Sequence, residues 1–174
     1  FACRVWPAFG MVNVSAKDVV AALRARGWML VTAESCTGGL ISSAITEVAG
    51  ASAVFDRGFV TYSNAAKAQM LGIAPHLIDA HGAVSEQVAL EMAKGALDHS
   101  AGDIAVSVTG IAGPGGSDFK PEGRVCFGCA TKDGKTHVET VDFGAVGRSL
   151  VRAQTVAHAL ELVSQICGQG LPLK

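Results

Sequence analysis

At 174 residues and 49% hydrophobic content the chain suits one compact domain with a substantial core. Charged residues make up only 17% and the formal net charge is −1, so no broad positive field exists to hold a nucleic-acid backbone or an anionic membrane surface. Gly, Ser or a charge interrupts every apolar run short of the roughly 18 residues that a membrane helix requires, and the hydrophobicity reads instead as a sheet buried on both faces.

Residues 1–13 are expected to be an extension or an expression remnant, with Met11 a candidate start; residues 14–168 form one domain and 169–174 a tail. Val19, Val20, Ala22 and Leu23 recur at helical spacing between a Ser15 cap and Gly27. The apolar run Trp28 to Ala33 predicts a buried strand, and Thr37-Gly38-Gly39 opens a helix to about Val48, which places Ser35 at a strand-to-helix turn. Val54 to Ser63 alternates as a strand, with Asn64 as the expected cap of a helix over 65–71. A short helix over 75–80 and a longer one from Ser85 to about His99 lead to a strand over 103–109. A glycine-rich loop over 110–123 precedes a hairpin of strands 124–131 and 136–143 around Asp133-Gly134, and a helix from Gly147 to about Cys167 closes the domain. Alternating helices and strands with one late hairpin predict an α/β protein, a three-layer α/β/α sandwich with a largely parallel sheet and an antiparallel edge hairpin.

In such sheets ligands gather at the carboxyl ends of the strands, and three polar segments fall there. In Glu34-Ser35-Cys36-Thr37-Gly38-Gly39 a hydroxyl precedes a glycine pair, a pattern that fits a nucleophile, an anion site, or a plain helix cap by Ser35 or Thr37. Cys36 is a rival nucleophile. In Thr61 to Lys67, Tyr62 ends a strand and Lys67 projects from the first turn of a helix, where a cation is disfavoured and a lysine base gains a lowered pKa, unless it is a solvated surface lysine. The third segment, Ser107 to Ser117, runs a strand into a loop dense in amides, without the lysine spacing of a triphosphate-binding loop.

The histidines all lie outside these segments and the hydrolase elbow G-x-S-x-G is absent, so a Ser/Lys pair fits better than a Ser/His/Asp triad. The five cysteines are odd in number and no signal peptide is evident, which favours a reducing cytoplasm. Cys126 and Cys129 form a C-x-x-C inside a strand with no second pair to complete a zinc site, so neither metal nor cofactor is expected.

Taken together, TAESCTGG (32–39), GFVTYSNAAK (58–67), GAVS (82–85) and TGIAGP (109–114), with Lys120-Pro121, Arg148 and Arg152, resemble the CinA C-terminal domain family, the bacterial nicotinamide-nucleotide amidases. The resemblance spans about Val14 to Cys167. It implies hydrolysis of the carboxamide of nicotinamide mononucleotide to nicotinic acid mononucleotide and ammonia, in pyridine nucleotide recycling, by serine and lysine without metal. By position Ser35 resembles the nucleophile, Lys67 its base, and Tyr62 and Thr109 polar partners.

Substrate binding is expected from Glu34, Cys36, Thr37, Gly38 and Gly39 around the nucleophile, the amides after Ser35 serving the oxyanion. Gly110, Gly113, Gly116 and Ser117, with Arg148 or Arg152, are the expected phosphate donors. Family members carry a longer glycine run after Gly113-Pro114 and a valine at the position of Glu122, a departure that bears on substrate fit. A noncatalytic binder of a phosphorylated ligand and an amidase for another small substrate are the alternatives; the partner is a small nucleotide, with a homodimer expected from the apolar content.

Overall fold

The computed structural model describes residues 14–169, so the expected extension and all but the first residue of the expected tail lie outside the described part. Helix α1 (Ala16–Arg26) starts where expected, because the Ser15 and Asp18 side chains each take the other's backbone N–H in a reciprocal cap. Strand β1 (Leu30–Glu34), α2 (Leu40–Thr46), a short 3-10 turn (Ala51–Ala53) and β2 (Phe55–Val60) follow, then α3 (Asn64–Leu71), α4 (Pro75–His81), α5 (Glu86–Asp98) and β3 (Ile104–Gly110). The hairpin β4 (Arg124–Thr131) and β5 (Thr136–Asp142) leads to α6 (Arg148–Gln169).

One cap differs from expectation. Ser63, still extended, caps α3 by accepting the Ala66 N–H at 3.0 Å, and Asn64 is already the first helical residue. Lys67 stays beside the helix start, its own N–H bonded to the Ser63 carbonyl.

The strands order as β2-β1-β3-β4-β5, with β1 parallel to both β2 and β3, and with β4 antiparallel to β3 and β5. The largely parallel sheet with an antiparallel hairpin at one edge is as the sequence predicts. Alternation along each strand then decides the layers. Leu30, Ile104, Val106, Val108 and Phe127 face α1, α2 and α6, which contribute Val19, Leu23, Ile41, Ile45 and Val163 to one core. The opposite face carries Val31, Ala33, Ala105 and Ala130, and packs on Leu71, Ile78, Val88, Met92 and Ala93 of α3 to α5. Cys126 and Cys129, three apart on β4, point to opposite faces and share no site; all four described cysteines are free and buried. Among the described residues no helix is long and apolar enough to cross a membrane.

The second face is built of small side chains because α5 lies close to the sheet. A Cβ on Gly128 would meet the Ala89 carbonyl at 2.4 Å, and Ser107 donates its hydroxyl to that same oxygen. Gly95 on α5 is pressed as closely against the end of α3, where an added Cβ would lie 2.1 Å from the Leu71 carbonyl oxygen. Alanine is the better helix former by about 1 kcal/mol, yet it has no room here. Gly95→Ala is therefore expected to lower the unfolding free energy by about 1–3 kcal/mol in urea titration, the usual range for overpacking. An unchanged or raised midpoint would show that α3 and α5 part without cost.

Candidate active site

Strand register brings the polar segments together. Glu34 pairs with Val60 on one side and Val108 on the other, so the next residue of each strand, Ser35, Thr61 and Thr109, stands in a row at the carboxyl edge. The Ser35 N–H bonds the Val108 carbonyl at 3.1 Å and the Thr61 N–H bonds the Glu34 carbonyl at 2.9 Å, which locks that row. The chain leaves β1 for α2 on one face and leaves β2 for α3 on the other, so the edge beyond β1 opens as a crevice.

A helix starting this close to Ser35 needs its first amides satisfied, and Glu34 does it. The buried carboxylate accepts the N–H groups of Gly39, Ile41 and Ser42 at 3.0, 3.0 and 2.8 Å, and the hydroxyls of Thr37 and Ser42 at 2.8 Å each. A negative charge there also opposes the positive end of α2. Neither Ser35 nor Thr37 is the helix cap, so the Ser35 hydroxyl is free for another partner. Glu34, expected beside the substrate, serves the turn from within.

That partner is Lys67. Its Nζ donates to Ser35 Oγ at 3.1 Å and to the Thr61 carbonyl at 3.0 Å, and the residue is only 1% exposed. Loss of hydration on burial holds its pKa below the usual lysine value. Cys36 next door also lines the cavity, with its thiol pushed up to about 11 by burial, but it is the Ser35 hydroxyl that the Lys67 amine holds.

Ser35 and Lys67 open into a cavity of about 360 Å³, within the range of small-molecule pockets. Cys36, Tyr62, Thr109, Gly110, Gly113 and Arg148 of the expected residues also line it. Thr109 donates to the Ala83 carbonyl at 2.8 Å, which fixes one wall. At the mouth the Arg148 guanidinium donates to the Gly113 carbonyl at 2.9 Å and the Tyr62 hydroxyl at 3.0 Å.

The remaining expected binders have other partners. In the glycine loop the Gly115 N–H goes to the Glu122 carboxylate at 2.6 Å and the Ser117 N–H to the Lys120 carbonyl at 2.9 Å, while Gly116 and Ser117 lie outside the cavity lining. An internal carboxylate beside these amides disfavours phosphate on that part of the loop. The Gly38 N–H closes a turn on the Ser35 carbonyl at 3.1 Å, and the Gly39 N–H belongs to Glu34, so Cys36 and Thr37 hold the remaining amides of the four expected for the oxyanion. Arg152 donates to the carbonyls of Cys36 and Thr37 at 3.1 and 3.0 Å.

The sequence points to no site role for Ala83 and Val84 of the lining, to a capping role alone for Asn64, and to none for Lys120, whose amine bonds the His81 carbonyl at 3.1 Å and the Val84 carbonyl. Their signals are the GAVS word for Ala83 and Val84, the GFVTYSNAAK word for Asn64, and Lys120-Pro121 for the clamp on that wall. Among the described residues no cluster of three or more His, Cys, Asp or Glu side chains is arranged to hold a metal ion.

Glu34→Gln keeps the size but points an amide N–H₂ at N–H donors. We expect it to cost about 3 kcal/mol in chemical denaturation, because buried donors lose a charged acceptor. A loss below about 1 kcal/mol would mean that water or a shifted turn replaces the carboxylate.

The model of the CinA C-terminal domain matches residues 13–167. A relative from Enterobacter agglomerans named nicotinamide-nucleotide amidohydrolase PncC is 54% identical over 145 residues, covering 83% of this chain and 88% of the relative. The protein of that name from Escherichia coli K12 is 51% identical over 150 residues, 86% of this chain and 90% of its own. Among solved structures, the competence/damage inducible protein CihA from Agrobacterium tumefaciens superposes with a TM-score of 0.83 at 49% identity, covering 85% of this chain and 90% of that one. The competence damage-inducible protein A from Klebsiella pneumoniae gives 0.85 at 39% identity, covering 90% and 96%. With four ordered sequence words, a serine and lysine joined across the sheet edge, and matches over nearly the whole domain, this chain belongs to the CinA C-terminal domain family.

Proposed function

We propose that the chain is an amidohydrolase that converts nicotinamide mononucleotide to nicotinic acid mononucleotide and ammonia by a Ser35/Lys67 mechanism, within the recycling of pyridine nucleotides. The observation that carries the reading is the 3.1 Å contact between a buried lysine amine and a serine hydroxyl in the cavity wall. The amidohydrolase names of relatives above 50% identity supply the substrate.

An ordinary lysine is neutral in only about 1 molecule in 2500 at pH 7, and each unit of lowering raises that tenfold. Neutral Lys67 has two N–H groups and one lone pair. An N–H holds the Thr61 carbonyl, and the lone pair takes the Ser35 proton as Oγ attacks the carboxamide carbon. The tetrahedral oxyanion is met by the amides of Cys36 and Thr37. Collapse breaks the C–N bond as the Lys67 ammonium returns its proton to the leaving nitrogen, giving ammonia and an ester on Ser35. Water then attacks the ester, Lys67 accepting its proton, and the carboxylate leaves as the serine regains its hydrogen. The substrate phosphate is assigned to Arg148 at the mouth, since Arg148 lines the cavity and Arg152 does not.

Ammonia release from the mononucleotide should fall to background in Ser35→Ala and in Lys67→Ala. Full activity of Ser35→Ala would remove the nucleophile assignment. A melting temperature raised by the mononucleotide with no ammonia formed by the wild type would leave a binding module in place of an enzyme.

The pH profile gives a separate test. Because the neutral amine is the base, kcat/KM should rise with pH through the Lys67 pKa and be lost as pH falls below it. That transition should lie under the ordinary lysine value of 10.5, in the direction set by burial. Lys67→Arg, which cannot deprotonate in this range, should abolish the rising limb along with activity. A transition at or above the ordinary value would argue against a buried lysine base.

A further inference from the structure

We infer that Arg152 is a positioning residue of the nucleophile turn, acting on the oxyanion donors through the backbone and not on the substrate. This rests on the serine chemistry proposed above. From α6 its Nε reaches the Cys36 carbonyl at 3.1 Å and its Nη2 the Thr37 carbonyl at 3.0 Å, so one planar fork grips two consecutive peptides. A trans peptide points its N–H opposite to its C=O. Holding these two carbonyls therefore turns the N–H groups of Thr37 and Gly38 away from α6.

The Gly38 N–H closes the turn on the Ser35 carbonyl. Gly38 takes a left-handed φ of 61°, and a Cβ there would lie 3.7 Å from Arg152 Nη2, so the chain bends directly against the guanidinium. Of the two amides left for the oxyanion, that of Thr37 belongs to the peptide whose carbonyl, Cys36, Arg152 holds, and that of Cys36 belongs to the peptide whose carbonyl, Ser35, accepts the Gly38 N–H. A charged donor on a carbonyl also polarises its peptide, and so strengthens the N–H at the other end. Glu34 secures the glycine side of the same turn. The donor segment is tied at both ends by ionic groups, Glu34 buried and Arg152 half-buried, and neither lines the cavity.

The experiment compares wild type, Arg152→Ala and Arg152→Lys. Loss of one oxyanion donor costs about 10²–10³ in kcat, and a donor left loosely aimed falls near the lower figure. Arg152→Ala should lose about 100-fold in kcat with KM within about threefold, and added guanidinium ion should restore at least about tenfold of it. Arg152→Lys, which keeps the charge but not the fork, should fall between. A kcat within threefold of wild type, a rise in KM at unchanged kcat, or a kcat loss that guanidinium leaves untouched would each overturn the inference. Labelling by a fluorophosphonate separates it from the substrate assignment. There the Ser35 Oγ–P bond forms, P–F breaks, fluoride leaves and Lys67 takes the serine proton. Labelling of the wild type that slows in Arg152→Ala and recovers with guanidinium supports the role whichever carboxamide is hydrolysed. Equal labelling of both sinks the role alone, and no labelling of the wild type sinks the serine chemistry beneath it.

Discussion

A lysine amine kept out of water against a serine hydroxyl is the constraint on which this end of the molecule is organised. Burying an ammonium is costly unless it is paired or neutralised, and here the surroundings favour neutralisation. A buried carboxylate sits in the residue immediately before Ser35, and an ion pair with it would hold the lysine charged. Instead both oxygens of Glu34 are committed to amides and hydroxyls of the following turn and helix, and burial leads the causes that shift Lys67. Glu34 thus has two effects from one arrangement. It completes the start of α2, which releases the Ser35 hydroxyl from capping, and it withholds an acceptor from Lys67.

The sheet makes this arrangement rigid. Ser35 follows β1, which is flanked by parallel strands whose registers are fixed along their length. Thr61 and Thr109 are carried to its two sides by backbone pairing, so neither depends on a long loop. The two faces of the sheet differ in a way that matters for the site. Large residues on the α1/α2/α6 face fill a thick core, while Ala33, Ala105 and Gly128 on the other let α5 sit close. The small-residue face is the side to which Lys67 belongs, since α3 packs there through Leu71 against the same cluster.

The fold was largely legible from local pattern. Capping and stop signals such as Ser15 and Gly27, together with the alternation in β1 to β5, need only nearby residues, and those elements lie where the sequence puts them within a residue or a few. The Ser35 and Lys67 segments could be singled out because each stood at the end of a strand. What could not be read was which polar group satisfies which. Ser63 and Asn64 are both good caps, and only the backbone angles choose between them. Glu34 looks like a substrate ligand from its neighbours, and its orientation toward α2 follows from strand alternation combined with a helix start that periodicity cannot place to the residue. The glycine loop reads as an amide cradle, yet Glu122 and Lys120 from further along the chain have taken part of it.

The two arginines of α6 carry equal chemistry to different depths of the fold. Arg148 and Arg152 are four residues apart on one helix, so they lie on the same face about one turn from each other. Arg152 is flanked by Val151 and Thr155, both fully buried, and its side chain runs to the nucleophile turn, where, away from the cavity lining, two of its donors hold backbone carbonyls. Arg148 is one turn nearer the solvent and bonds a loop carbonyl and the hydroxyl of Tyr62, itself 62% exposed. A guanidinium has five N–H donors and Arg148 uses two of them here, so the cation at the mouth can take an anion without breaking what orders it. Burial depth along a single helix therefore separates the arginine we assign to the nucleophile turn from the one we assign to the substrate phosphate.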